Sequence, residues 1–208
     1  MKHTKESLIL TQTISDAINN QTMHHHYHIL YDIANTYPQD TNITYVEIGC
    51  YAGGSACLVL QRPNTKVISI DLGEPIHEEI VYSNVKKLNK FNNSFIYLKG
   101  NSQTYKMVDK LKQLTQEIDI LFIDGDHSYQ AVINDFMLYE GLVKKGGYIV
   151  FDDYHDRGPG CGVHEAVNEI SKAVSDRYYS IGPLPNIFGA RGLPDTQPEG
   201  NDYIIQKL

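Results

Sequence analysis

Hydrophobic and polar residues follow two rhythms along the chain. Short runs rich in β-branched and aromatic residues, "NITYVEIG", "TKVISID", "NSFIYLKG", "IDILFIDGD" and "GGYIVFDD", alternate with longer stretches such as "HEEIVYSNVKKLNKF", "SQTYKMVDKLKQLTQ" and "SYQAVINDFMLYEGLVKKGG". The short runs predict strands, and the amphipathic stretches predict helices. Their regular succession predicts an α/β fold: a mostly parallel sheet with helices on both faces and right-handed crossovers. The runs at 118–123 and 148–151 alternate so little that they read as central strands buried on both faces. "LVKKGG" reads as a helix end, with basic residues in the last turn and glycine at the stop.

Two further helical patterns, "TKESLILTQTISDAIN" and "MHHHYHILYDIANTY", precede the first strand. Residues 1–40 therefore read as an N-terminal helical segment, a lid or a dimerisation surface, ahead of one domain at 41–208. Beyond residue 176 the pattern becomes two short strands around a Pro/Gly-rich loop, which would close one sheet edge as an antiparallel hairpin.

With 208 residues and 41% hydrophobic content, the chain can bury one sizeable core. Its formal charge of −7 repels phosphate backbones and anionic headgroups, so nucleic acid and membrane surfaces are not expected partners. No apolar run approaches the ~20 residues of a membrane span, and the start lacks the pattern of a signal peptide. The expected location is cytoplasmic. Cys50, Cys57 and Cys161 match no zinc or redox spacing and read as reduced structural thiols.

In an open parallel sheet, ligands bind beyond the carboxyl ends of the strands. The first such end is "VEIGCYAGGSA", in which Glu47-x-Gly49 is followed by Gly53-Gly54-Ser55. A dinucleotide loop needs glycine where Tyr51 stands, and a phosphate-binding P-loop needs a lysine after its glycines. The turn thus allows close approach of a ligand without provision for phosphate. An adenosyl group without phosphates meets that description. Asp71, ending "VISID", is placed to accept from ribose hydroxyls, and Gly100 to Ser102 add small and amide groups at the same rim.

These motifs, with "DILFIDGDHSYQAVINDF", "GGYIVFDDY" and "GPGCGVHEAV", resemble the Rossmann-like (class I) methyltransferases that use S-adenosylmethionine (SAM). Within them the chain is most similar to the branch of macrocin-type sugar O-methyltransferases and cephalosporin-hydroxylase-like proteins, over roughly residues 40–175. The resemblance implies a doubly wound sheet of seven strands with the last antiparallel. It implies that Glu47, Gly49, Gly53 and Ser55 surround the methionine moiety, that Asp71 takes the ribose, and that Asn101 and Ser102 lie near adenine.

Four carboxylates, Asp124, Asp126, Asp152 and Asp153, end two apolar strands. On neighbouring strands ~4.8 Å apart, such charges need a counter-cation or raised pKa values. Hard oxygen donors of this kind suit Mg²⁺. The resemblance makes Asp124, Asp152 and Asp153 the ligands, with Asp124 also counted beside the cofactor, and Asp126 the general base, His127 being the alternative base. The function implied is methyl transfer from SAM to a hydroxyl of a small molecule, a sugar or natural product. A hydroxylase and a non-catalytic SAM- or nucleotide-binding regulator are the competing readings, although no 2-His-1-carboxylate set is evident.

Simpler roles stand beside these. Asp126 or Ser128 can cap the helix that starts near 129, and His127 can be a structural hydrogen-bonding residue. His24 and His28 stand one helical turn apart, a weak metal pattern. His155, Asp156 and Arg157 read as loop residues near an acceptor, His155 solvated. The stretch 183–192, with Arg191, is a candidate substrate loop.

Overall fold

The computed structural model describes residues 4–19, 27–74, 78–183 and 202–208. In chain order its elements are helices α1 (Lys5–Ala17) and α2 (His28–Ala34), strand β1 (Ile43–Ile48), α3 (Gly54–Val59), β2 (Thr65–Asp71), α4 (Glu78–Leu88), β3 (Ser94–Lys99), α5 (Tyr105–Leu114), β4 (Ile118–Ile123), α6 (Tyr129–Tyr139), β5 (Val143–Phe151), α7 (Val163–Ala173), β6 (Tyr178–Pro183) and β7 (Tyr203–Lys207). The strands form one seven-stranded sheet of order β3-β2-β1-β4-β5-β7-β6. Pairs β1–β2, β2–β3 and β4–β5 are parallel, whereas β7 runs antiparallel to both β5 and β6. The expected mostly parallel sheet with an antiparallel last strand is therefore present. The chain divides into two compact units, Met1–Asn101 and Ser102–Leu208.

In the first unit, Val46, Val67 and Ile68 are fully buried on the parallel strands. Helices α1 and α2 pack against each other and against α3, burying Ile14, Ile18, Ile29, Leu30 and Ile33. Thr4 caps α1 by accepting from the Ser7 amide at 3.1 Å. Its hydroxyl in turn donates to Asp32 of α2 at 2.8 Å, and the Ser7 hydroxyl reaches the same carboxylate at 2.9 Å. The described N-terminal helices are thus integral to this unit. His28 is buried in α2, while His24 lies outside the described residues.

Arg62 is wholly buried beyond α3. Its guanidinium donates to the carbonyls of Pro38 at 2.6 Å, Thr41 at 3.1 Å and Pro63 at 2.8 Å. It joins the turn entering β1 to the turn entering β2, so both strands start in register.

In the second unit β4 is buried along its whole length. One expectation is corrected here. Helix α6 ends at Tyr139, a single 3₁₀ turn covers Glu140–Leu142, and "VKKGG" opens strand β5 rather than closing a helix. The register passes from Ile118↔Val143 to Ile120↔Tyr148, so Lys144–Gly147 arches out as a bulge. Gly146 adopts φ +79°, and a Cβ at Gly147 would stand 3.0 Å from the Asp119 and Lys144 carbonyl oxygens. Lys144 pairs with the nearly buried Asp119. A glycine needed for positive φ in a bulge looks, in sequence, like a helix stop.

Replacing Arg62 by leucine would remove the one donor group shared by the Pro38, Thr41 and Pro63 carbonyls. Arg62→Leu is expected to lose at least about 3 kcal/mol of stability, read as a lower midpoint in urea unfolding. An unchanged midpoint would show that the guanidinium is dispensable.

Candidate active site

Two groups of predicted residues come together, one in each compact unit. In the first unit, β1 and β2 end side by side, with Ile48 opposite Ile70 and the Gly49 amide donating to the Ile70 carbonyl at 2.9 Å. The loop then turns through positive φ at Gly49 (88°), Tyr51 (44°) and Gly53 (81°). Tyrosine rarely adopts such a backbone, which marks a loop held by its surroundings. Helix α4 supplies part of that hold: a Cβ at Gly53 would stand 3.1 Å from Val81 Cγ1, and the Asn84 side chain donates to the Ala52 carbonyl at 2.9 Å.

Glu47 lies under this loop with no exposed surface. Its carboxylate accepts from the hydroxyls of Tyr45 (2.9 Å), Ser55 (2.7 Å) and Ser69 (2.6 Å). Burial raises its pKa despite these donors. Asp71 holds the loop from its other side, accepting from the amides of Cys50 (2.8 Å), Tyr51 (3.0 Å) and Gly73 (2.6 Å). The Gly100 amide donates to the Asp71 carbonyl at 2.8 Å, so the exposed Asn101 follows directly from a segment tied to Asp71. Glu47, Gly49, Gly53, Ser55 and Asp71 are thus assembled around one turn, with Glu47 and Ser55 facing each other in the core.

In the second unit, the Ser102 carbonyl accepts from the Tyr139 hydroxyl at 2.7 Å. Beside Ser102 lies Asp135, a buried acid on α6 whose pKa burial pushes up to about 6. Its sequence signal was an acid on the apolar face formed by Val132, Phe136 and Tyr139.

The parallel pairing of β4 with β5 brings the ends carrying Asp124 and Asp153 together. His127 stands between them, with Nε2 3.2 Å from Asp124 Oδ1 and Nδ1 3.1 Å from Asp153 Oδ2. The hydrogen bonds to Asp124 and then Asp153 outweigh partial burial and push its pKa up to about 11. His127 is therefore an imidazolium at neutral pH and has no lone pair to take a proton. Asp126 is exposed, with one carboxylate oxygen accepting from the Ser128 amide at 2.8 Å. That bond shapes the turn before α6, whose Ncap Ser128 makes no side-chain capping bond.

Asp152 points elsewhere. It is 3% exposed, and its Oδ1 accepts from the Asp153 amide at 2.8 Å. Among the described residues no three His, Cys, Asp or Glu side chains converge to hold a metal ion. Asp124, Asp152 and Asp153 do not fit Mg²⁺ as arranged here, because His127 fills the gap between two of them and the third turns inward.

The segment after β5 folds back onto the turn before α6. The Gly162 amide donates to the His127 carbonyl at 2.8 Å, and a Cβ at Gly162 would lie 2.5 Å from the Tyr129 nitrogen. Tyr154 stacks near His164 (4.6 Å) and Tyr203 (4.7 Å), and Arg157 donates to the Tyr154 carbonyl at 2.9 Å and to His164 Nδ1. His155 is buried rather than solvated. The glycines of "GPGCG" were the only sequence signal of this closure. Arg191 and residues 184–201 lie outside the described residues.

Because the His127 pKa rises from 6.5 to about 11, the clamp stabilises the fold fully below pH 6.5. That contribution declines between pH 6.5 and about 11 and is absent above. The difference in urea midpoint between the wild type and His127→Gln, measured with a chelator present, should shrink across this window. A pH-independent difference would show that His127 is not held as an imidazolium.

Residues 46–154 match the family described as "Methyltransferase domain". Protein R132 of Acanthamoeba polyphaga mimivirus is 40% identical over 203 residues, which cover 93% of this chain and 91% of R132. The fold is similar to an O-methyltransferase from Bacillus cereus solved in complex with S-adenosylhomocysteine, with TM-score 0.63 and 16% identity over 99% of this chain and 91% of that one. It is also similar to a putative O-methyltransferase from Klebsiella pneumoniae, with TM-score 0.68 and 11% identity over 95% and 89% of the two chains. The glycine turn, the acid at the end of β2, the strand order and the family match agree, and the chain belongs to the Rossmann-like, SAM-dependent methyltransferase family.

Proposed function

We propose that the chain transfers a methyl group from SAM to a hydroxyl of a small molecule, a sugar or another natural product. The observation that carries this reading is the loop from Gly49 to Gly53, which holds its Cys50 and Tyr51 amides on Asp71 and whose composition makes no provision for phosphate. Such a turn suits an adenosyl ligand, with Asp71 accepting from the ribose and the loop backbone approaching the amino-acid end. The Bacillus relative, similar in fold, was solved with the demethylated form of this cofactor.

When bound, SAM supplies an electrophilic methyl on its sulfonium. The chain's own residues orient the acceptor and take its proton. The acceptor's hydroxyl proton would pass to Asp126, whose second carboxylate oxygen is not engaged by the Ser128 amide, as the methyl group leaves the sulfonium for the oxygen. His127 is charged and cannot serve as that base, so its role is to neutralise Asp124 and Asp153 and fix the turn on which Asp126 stands. No step runs through Mg²⁺, and the metal enters as a variable of the experiment. No helix among the described residues is long and apolar enough to cross a membrane.

Calorimetric titration with S-adenosylhomocysteine should show binding, with NAD giving no heat. Asp71→Ala should weaken binding by about tenfold or more, the equivalent of one charge-assisted hydrogen bond. Methyl transfer from labelled SAM to a panel of hydroxylated acceptors, run with Mg²⁺ and with chelator, should fall about 10²- to 10⁴-fold in Asp126→Asn while cofactor affinity is kept. Absence of any S-adenosylhomocysteine binding would overturn the proposal. Turnover restored only by Mg²⁺ would show that the carboxylates rearrange around a metal.

A further inference from the structure

Asp71 cannot serve a ribose diol alone. An ionised carboxylate offers about four lone-pair sites, two on each oxygen. The Cys50 and Tyr51 amides take Oδ2, and the Gly73 amide takes one site on Oδ1. About one site is left, on Oδ1, and one ribose hydroxyl can donate there. The neighbouring hydroxyl needs a different partner, and because a hydroxyl oxygen also accepts, a cationic donor meets the need.

Lys99 is placed to be that donor. Strand β3 pairs with β2 in parallel with Lys99 beside Asp71, so the two side chains leave the sheet on the same face from strands ~4.8 Å apart. The lysine then lies across the turn that follows Asp71. A Cβ placed at Gly73 would stand 2.8 Å from Lys99 Cε and 3.1 Å from its Nζ, so the ammonium rests against the residue whose amide holds Oδ1. Gly73 is buried at this point, whereas Lys99 is exposed. The turn and the start of α4 carry Glu74, Glu78 and Glu79, yet Lys99 forms no hydrogen bond or ion pair with any described residue. No neighbouring acid neutralises it, and its cation stands beside the one open site of Asp71.

We propose that Lys99 is a cofactor-binding residue: its ammonium donates to one ribose hydroxyl while the adjacent hydroxyl donates to Asp71 Oδ1. This rests on the SAM reading of the same site. The diol is then held by one acceptor and one donor, and none of the three amides has to leave Asp71. Loss of either hydroxyl removes one of the two contacts, so the pair recognises the diol as a unit.

The test is calorimetric titration of wild type and Lys99→Met with S-adenosylhomocysteine and with its 2′-deoxy and 3′-deoxy analogues. Methionine keeps an unbranched stem over Gly73 and removes the ammonium. Lys99→Met should bind S-adenosylhomocysteine about 5- to 20-fold more weakly than wild type. On one of the two analogues, the one that lacks the hydroxyl held by Lys99, the variant should match the wild type, which also shows that its site is intact. On the other analogue the full loss should remain. Equal affinity of both proteins for S-adenosylhomocysteine would overturn the proposal. So would a loss of similar size for all three ligands, which would assign Lys99 to general attraction of the ligand or to the shape of the turn, and so would a loss that vanishes on both analogues. Failure of the wild type itself to bind S-adenosylhomocysteine would overturn the cofactor reading, and this proposal with it.

Discussion

A carboxylate with no access to water sets the geometry of the first unit. Glu47 ends β1 in the core, where ionisation is costly unless donors are supplied, and three hydroxyls supply them. Tyr45 comes from the same strand, Ser69 from β2 and Ser55 from the first turn of α3. Satisfying one group therefore fixes the relative placement of strand, neighbouring strand and helix. The loop between β1 and α3 has its path closed from beneath by Glu47 and from the other side by its Cys50 and Tyr51 amides on Asp71. The two acids, read alike in sequence as ligand-binding groups, divide the work. Glu47 orders the scaffold, and Asp71 is the acid that keeps some exposed surface. What the loop then offers a ligand is mainly backbone, which explains why glycines and a strained Tyr51 occur there.

The second unit solves a different electrostatic problem. Four acids after two adjacent buried strands cannot all be left facing one another. The chain disperses them in three ways. Asp152 turns inward onto the Asp153 amide, Asp126 turns outward onto the Ser128 amide, and Asp124 and Asp153 take His127 between them. The last device changes the chemistry of the histidine. An imidazole near neutrality in water becomes a fixed cation here, so its place one residue after Asp126 does not make it a base. The same cation occupies the gap that a divalent ion would need, so metal uptake at these acids would require His127 to move.

Strands were legible because β-branched runs buried on both faces have few other uses, and the burial of β4 along its length follows from that pattern. The number of strands and the antiparallel last strand followed from the resemblance rather than from any one run, and the strand order is seen only in the structure. The arch at 144–147 was not legible, since "KKGG" has the composition of a helix end and only the pairing with β4 shows that the glycines serve a bulge. Within the site, Asp71 and the glycine turn were legible from spacing. The inward direction of Glu47 and Asp152, and the clamp on His127, were not, because each depends on a partner brought in from another strand.

The closure after β5 shows how such a scaffold separates its tasks. Gly162 has no room for a side chain against Tyr129 and donates to the His127 carbonyl, so the segment 155–162 is tied to the turn carrying Asp126 and His127. Arg157 holds the same segment through the Tyr154 and Asp156 carbonyls and His164, without using a carboxylate among the described residues. These ties are made by backbone groups and by the Tyr154 stack, which constrain the path of the segment far more than the identity of its exposed side chains. Sequence can therefore change at its exposed positions while Asp126 stays in place. On the function proposed above, acceptor preference would vary on the segment while the turn that carries Asp126 stays fixed, as expected where function is grafted on a common fold through its loops.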